Sequence, residues 1–178
     1  MAEAQTPEGI TADYVNEGVR DTLAALQQAP DYERLAEFLT ALREGFLVAD
    51  VTGTQKKKST HVRTIRSTKG QLILPLFTSM DELRLAHPKG SREQAKGALM
   101  PALEALRLIQ SSPFVAVQFN AGSAALPVLR GYIALVLGGE DAVATACVDV
   151  AIWDAVGKAL GMPLYKLWGG YRDRVPVI

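Results

Sequence analysis

Residues 72–82 read LILPLFTSMDE and carry the most informative pattern in the chain. The first six residues contain no polar side chain, and a run of this length predicts a buried strand. Pro75 within that run favours an edge position or a bulge, since proline donates no ladder hydrogen bond. Ser79 and Glu82 have the Ser-x-x-Glu spacing of a capping box. The stretch therefore predicts a strand that ends in a polar turn and opens into a helix.

A second stretch, FVAVQFNAGS over residues 114–123, repeats this arrangement, and a helix is predicted after it to about Leu137. If the two strands lie parallel and adjacent, their polar turns meet at one edge of the sheet. Helix N-termini carry free N–H groups and partial positive charge, so this edge could bind a carboxylate or phosphate. The candidate ligands are Thr78, Ser79, Asn120, Gly122 and Ser123. The structural alternative is that the serines cap helices and that Gly122 supplies a positive φ angle.

Apolar spacing of three and four residues predicts two helices within residues 13–44, broken at Pro30. Strands are predicted at 46–52 and 62–67, and with 72–77 they form an antiparallel meander. A further helix is predicted from Ala98 to Ile109. The fold class is thus α/β, with helices packed on a mixed, partly antiparallel sheet of four to five strands, plus a C-terminal helical segment.

Composition is that of a folded protein without membrane spans. The chain has 178 residues, of which 48% are hydrophobic and 21% charged, enough for a buried core. No apolar run reaches the length that crosses a bilayer, and the first eight residues lack a signal peptide's pattern. A single cysteine, Cys147, excludes an internal disulfide. We therefore expect a cytoplasmic protein.

Charge is unevenly distributed although the net charge is zero. Residues 1–50 carry ten acids and three bases, whereas 51–70 carry six bases and no acid. The lysine-rich stretch 53–60 could dock an acidic protein, but a solvated hairpin tip is the favoured interpretation. Nucleic-acid binding is not expected, because aromatic residues are not interleaved and the chain has no overall basic excess.

No pattern in the chain predicts catalysis. His61 and His87 have no ligand spacing with acids or cysteine, and no nucleophile elbow or phosphate-binding glycine motif is present. Asp149 and Asp154 lie about 500° apart around one predicted helix and so do not share a face. We expect no catalytic residue, no metal site and no cofactor.

Three stretches together resemble the N-terminal domain of the SseB (enhanced serine sensitivity) family. They are FLTALREGFLVADVTGT at 38–54, GQLILPLFTSMDEL at 70–83, and PALEALRLIQSSPFVAVQFNAGSAALPVLRGYIALVL at 101–137. The resemblance spans about residues 16–138 and implies a domain over 1–139. Since the family has no assigned catalytic activity, it implies a non-catalytic binding or regulatory module for a protein or small anion.

The stretch AIWDAVGKALGMPLYKLWGGYRDRVPVI at 151–178 resembles the mandelate racemase and muconate lactonizing branch of the enolase superfamily, and the resemblance covers about residues 142–178. The resemblance implies a truncated capping-domain segment over 140–178. In that superfamily a Lys or His base and Mg²⁺ act on a carboxylic acid. In that superfamily the base and the metal ligands lie on later barrel strands, which these 178 residues lack. An enolase-type enzyme is therefore the alternative function, and it would be catalytically incomplete here.

The predicted helix Asp141–Leu160 presents an apolar stripe that needs a covering surface. It consists of Ala142, Val143, Ala146, Val150, Ile152, Val156 and Leu160. The expected partner is the preceding domain, another protein or a second copy of the chain, because a monomer rarely exposes so large an apolar patch. A structural or oligomerisation subunit is therefore a further alternative.

Overall fold

The computed structural model describes residues 13–53 and 62–139. The lysine-rich stretch 54–60, His61 and the predicted helix 141–160 lie outside the described residues. The helices are α1 (Glu17–Gln28), α2 (Tyr32–Ala41), α3 (Met80–Ala86), α4 (Ala102–Arg107) and α5 (Arg130–Gly138), with 3₁₀ turns at Lys89–Gln94 and Leu108–Gln110. The strands are β1 (Phe46–Asp50), β2 (Ile65–Arg66), β3 (Leu72–Phe77), β4 (Gly97–Pro101), β5 (Phe114–Phe119) and β6 (Leu126–Leu129).

The strands form one mixed sheet in the order β4-β1-β3-β5-β6, with β2 paired to β3. β3 and β5 are parallel, and the other pairs are antiparallel. The α/β class and the mixed sheet are therefore confirmed. The described part of the chain has six strands, rather than the four to five predicted.

The two additional strands, β4 and β6, lie inside stretches predicted as helices. The helix predicted to begin at Ala98 begins at Ala102 instead, and the one predicted after Ser123 begins at Arg130. Both strands contain a proline, Pro101 and Pro127. Proline disfavours the helical conformation of the residue before it, so the chain stays extended, and the neighbouring strand supplies hydrogen bonds.

The predicted meander of β1, β2 and β3 is wrong in its connections. β1 and β2 do not form a hairpin but pair with different halves of one edge of β3. Along that edge Leu76 pairs with β1 and Ile73 pairs with β2. Pro75 falls in the gap between them, where a missing N–H removes no ladder hydrogen bond. A proline can therefore occupy this central strand, and the irregularity of β3 lies at Leu72/Ile73 instead.

The sheet separates two apolar layers of unequal size. Leu47 and Ala49 of β1 point into the larger layer, and Val48 between them points into the smaller one. The larger layer is formed with α1, α2, α4 and α5, and the smaller one with Leu83 of α3. Strand alternation therefore distributes the apolar side chains between the two faces.

None of the helices in the described part of the chain is long and apolar enough to cross a membrane.

Phe119 joins the sheet to the helical layer. Its ring packs edge-to-face on Phe38 of α2, with centroids 5.5 Å apart, and both side chains are fully buried. Phe119→Ala should lower the free energy of unfolding by about 3–5 kcal/mol, because it removes a buried ring and leaves a cavity. Leu129→Ala is the control and should change it by no more than about 0.5 kcal/mol, since Leu129 is 60% exposed. Urea unfolding measures both, and equal losses would contradict the placement of Phe119.

Candidate functional site

The polar turns that follow β3 and β5 lie side by side. The two strands are parallel neighbours, with Leu76 opposite Phe119, so the condition for the two turns to meet is confirmed. Thr78 and Asn120 are almost completely buried there, at 0% and 2% exposure. We call Thr78, Ser79, Asn120, Gly122 and Ser123 the strand-end cluster.

Thr78 and Asn120 are hydrogen-bonded to each other. The Thr78 backbone N–H donates to Asn120 Oδ1 at 3.0 Å, and Asn120 Nδ2 donates to Thr78 Oγ1 at 3.1 Å. Asn120 also donates its backbone N–H to the Leu76 carbonyl. These bonds satisfy polar groups that would be costly to bury without partners.

Ser79 and Ser123 have different roles, although the sequence suggested the same one. Ser79 Oγ accepts the Glu82 backbone N–H at 3.2 Å and caps α3 as predicted. Ser123 caps no helix, because β6 intervenes before α5. Its hydroxyl instead donates to Glu82 Oε2 at 2.5 Å and so links the second turn to α3.

Gly122 is required for a close approach rather than for its φ angle. A Cβ atom at this position would lie 2.5 Å from the Ala86 backbone N and from the Leu85 carbonyl carbon. The positive φ angles near this turn belong to Asn120 and Ala125. Asparagine enters this conformation more readily than most residues, because its short side chain bonds locally.

Together these contacts make the strand-end cluster a structural junction. The N–H groups of Thr78, Glu82, Asn120 and Ser123 already donate within the protein. The Glu82 carboxylate beside Ser123 adds negative charge, which disfavours an anion. The geometry therefore favours capping and cross-linking, and anion binding at these five residues stays a prediction.

A second polar cluster, which sequence reasoning missed, lies at the end of β1. His87 Nε2 and Asp50 Oδ2 are 2.8 Å apart, and both side chains are at least 95% buried, with exposures of 3% and 5%. Arg63 Nη1 lies 3.2 Å from His87 Nδ1. The Arg92 Nε–H donates to the His87 carbonyl at 3.3 Å. We call Asp50, Arg63, His87 and Arg92 the His87 cluster.

Hydrogen-bond chemistry assigns the His87 tautomer. A guanidinium group only donates, so Nδ1 facing Arg63 accepts, and Nε2 donates to Asp50. The other Asp50 oxygen, Oδ1, accepts the Thr52 backbone N–H at 2.9 Å. Every polar atom of this buried pair therefore has a protein partner. The sequence signal was an acid at the end of a buried strand, which predicts a partner but does not say which residue supplies it.

The remaining candidate residues from the sequence form no further site among the described residues. His61, Cys147, Asp149 and Asp154 lie outside the described residues. Within 13–53 and 62–139, no three His, Cys, Asp or Glu side chains form a group that could hold a metal ion.

Comparison with known proteins identifies a family for the described domain. The model of the SseB protein N-terminal domain matches residues 19–134, which is well over half of the chain. The chain belongs to the SseB family. The match covers every described helix and strand from α2 to β6 and most of α1 and α5. No solved structure matches the chain.

A second, shorter similarity concerns an enzyme family. The N-terminal domain of mandelate racemase / muconate lactonizing enzymes matches residues 116–169. An L-Ala-D/L-Glu epimerase from Bacteroides thetaiotaomicron is 48% identical over 40 residues, 22% of this chain and 10% of that protein. The chain thus spans about a tenth of the length of this curated relative. The similarity to part of an enolase-superfamily protein is confirmed, and it begins within β5 rather than at residue 142.

Asn120 variants separate the contribution of its side chain from that of its backbone. Asn120→Gly keeps the positive φ angle and should cost about 1–3 kcal/mol of unfolding free energy, because it leaves the buried Thr78 N–H unpaired. Asn120→Ala should cost about 1–2 kcal/mol more, since alanine resists this conformation. Ser123→Ala is the control and should cost less than either, because this exposed bond can be replaced by water. Urea unfolding gives the order, and a Gly variant as stable as the wild type would exclude the junction role.

Proposed function

We propose that this SseB-family chain is a non-catalytic binding or regulatory module for a protein partner. The proposal rests on one observation: the buried polar side chains of the two clusters are hydrogen-bonded to one another. Thr78 bonds to Asn120, and Asp50 bonds to His87. Groups held in this way act as structural ties, whereas a general acid or base must reach a substrate proton.

The rival function is catalysis of the enolase-superfamily type. The name of the Bacteroides relative refers to epimerisation of L-Ala-D/L-Glu, but the shared stretch covers only 10% of that protein. Within 13–53 and 62–139 no three His, Cys, Asp or Glu side chains form a group that could hold Mg²⁺, so the metal of the enolase superfamily has no fitting site on these residues. We therefore derive no catalytic step for this chain.

Proton exchange distinguishes the two functions. The purified chain would be incubated with L-Ala-D-Glu, L-Ala-L-Glu and Mg²⁺ in D₂O, with the glutamate α-proton signal followed by NMR. We expect no loss of this signal beyond that in a protein-free control, because the stretch shared with the epimerase covers only 10% of that protein. Protein-dependent exchange that disappears on addition of EDTA would overturn the proposal.

A second candidate function is self-association through residues 141–160. The apolar stripe predicted from the sequence of this segment favours it, because such a stripe needs a covering surface. In this case the partner is a second copy of the chain, and the module is a structural subunit.

Light scattering after size-exclusion chromatography would test self-association with the full chain. Val150→Glu places a charge in the predicted stripe and should convert a dimer into a monomer, because a buried charge is costly. Ala155→Glu is the matched control, since five helical positions turn it about 140° away from Val150, and it should stay dimeric. A wild-type monomer, or an equal effect of both variants, would contradict this function.

A further inference from the structure

Two arginines from separate segments meet at one buried histidine. Arg63, just before β2, approaches the His87 ring, and Arg92, in the 3₁₀ turn after α3, donates to the His87 carbonyl. The Arg63 residue is exposed, whereas His87 is buried. The contacts with His87 therefore bring two guanidinium groups to the same part of the surface.

The nearby carboxylate does not neutralise these arginines. Asp50 uses one oxygen for His87 and the other for the Thr52 N–H. Among the described residues, carboxylates form ion pairs with Arg20, Arg34 and Arg84, and no such pair involves Arg63 or Arg92. Positive charge therefore faces outward, and negative charge is buried beneath it.

A further base, Lys96, lies close to this cluster. Lys96 is exposed, and its backbone bonds to Val51 and Thr52 beside Asp50. The sequence from 51 to 70 contains six bases and no acid. The flanking strands β1 and β2 do not pair with each other, and residues 54–61 of this stretch lie outside the described residues.

We propose that Arg63 and Arg92 bind a carboxylate-rich peptide segment of a partner protein. A guanidinium group presents parallel N–H donors that match a carboxylate. The contact with His87 restrains Arg63 before binding, which reduces the entropy lost when a partner is bound. An acidic peptide fits better than a nucleic acid, because residues 51–70 contain no Phe, Tyr or Trp on which bases could stack. This inference names the partner class of the binding module proposed above and rests on that function.

Fluorescence anisotropy with a labelled oligoglutamate peptide would test the proposal on the full chain at low salt. Arg63→Gln and Arg92→Gln should each weaken binding roughly two- to fivefold, and the double variant on the order of tenfold, as expected for exposed charge pairs. Lys69→Gln is the matched control. It removes a base from the same basic stretch, but at the turn between β2 and β3 and outside the His87 cluster, and should leave binding unchanged.

A pair of conservative variants guards against misfolding. Arg63→Lys combined with Arg92→Lys keeps both charges and removes the forked geometry, so binding should fall between the wild type and the double glutamine variant. Urea unfolding should show that every variant still folds cooperatively, with a loss of no more than about 1–3 kcal/mol where Arg63→Gln leaves the buried His87 Nδ1 without its partner.

Three results would overturn the inference: no binding of oligoglutamate, an equal loss in Lys69→Gln, or equally tight binding of single-stranded oligothymidylate. None of these results depends on proton exchange from the dipeptides. The peptide-binding experiment therefore tests the arginine site, whereas the proton-exchange experiment tests the non-catalytic function.

Discussion

The parallel pairing of β3 with β5 is the constraint on which the rest of the domain depends. Parallel strands need a crossover, and here it contains α3, β4 and α4. Within that crossover β4 returns to the outer edge of β1, and the helices cover the two faces of the sheet. Because β3 has neighbours on both edges, its nearly uninterrupted apolar sequence is buried on both faces, as in other central strands.

The same pairing places two polar side chains at the edge of the core, where each needs a hydrogen-bond partner. Parallel strands end at the same edge, so Thr78 and Asn120 are brought together at the boundary of the core. Each would be unfavourable alone in that environment, and each satisfies the other. At the end of β1, Asp50 and His87 likewise satisfy each other by a hydrogen bond. Both clusters join segments far apart in the sequence and thereby specify how those segments meet.

The buried polar groups of both clusters are bonded to one another, so groups available to a binding partner must lie at the surface. The buried donors and acceptors at both clusters are used to hold the fold, whereas Arg63 presents its charge outward. Membership of the SseB family and the short similarity to a mandelate racemase N-terminal domain are compatible in this arrangement. Residues 116–134 belong to both matched stretches, and the structure places them in β5, β6 and the first part of α5.

The sequence by itself determined the α/β class, the first two helices, the apolar strands at 72–77 and 114–119, and the cap at Ser79. These features follow from local periodicity and spacing, which the chain displays without reference to distant residues. Apolar patterning could not reveal β4 and β6, because stretches as short as GALM and LPVL show no clear period, although Pro101 and Pro127 are a local signal against a helix.

Only the tertiary structure decided those strands, since a neighbouring strand supplied their hydrogen bonds. It likewise decided that Ser123 bonds to Glu82 rather than capping a helix, and that Gly122 accommodates the backbone of α3. The His87 cluster is the feature that the tertiary structure determines most completely. Asp50 and His87 are 37 residues apart, and their partnership results from burial against a shared sheet, which no local spacing encodes.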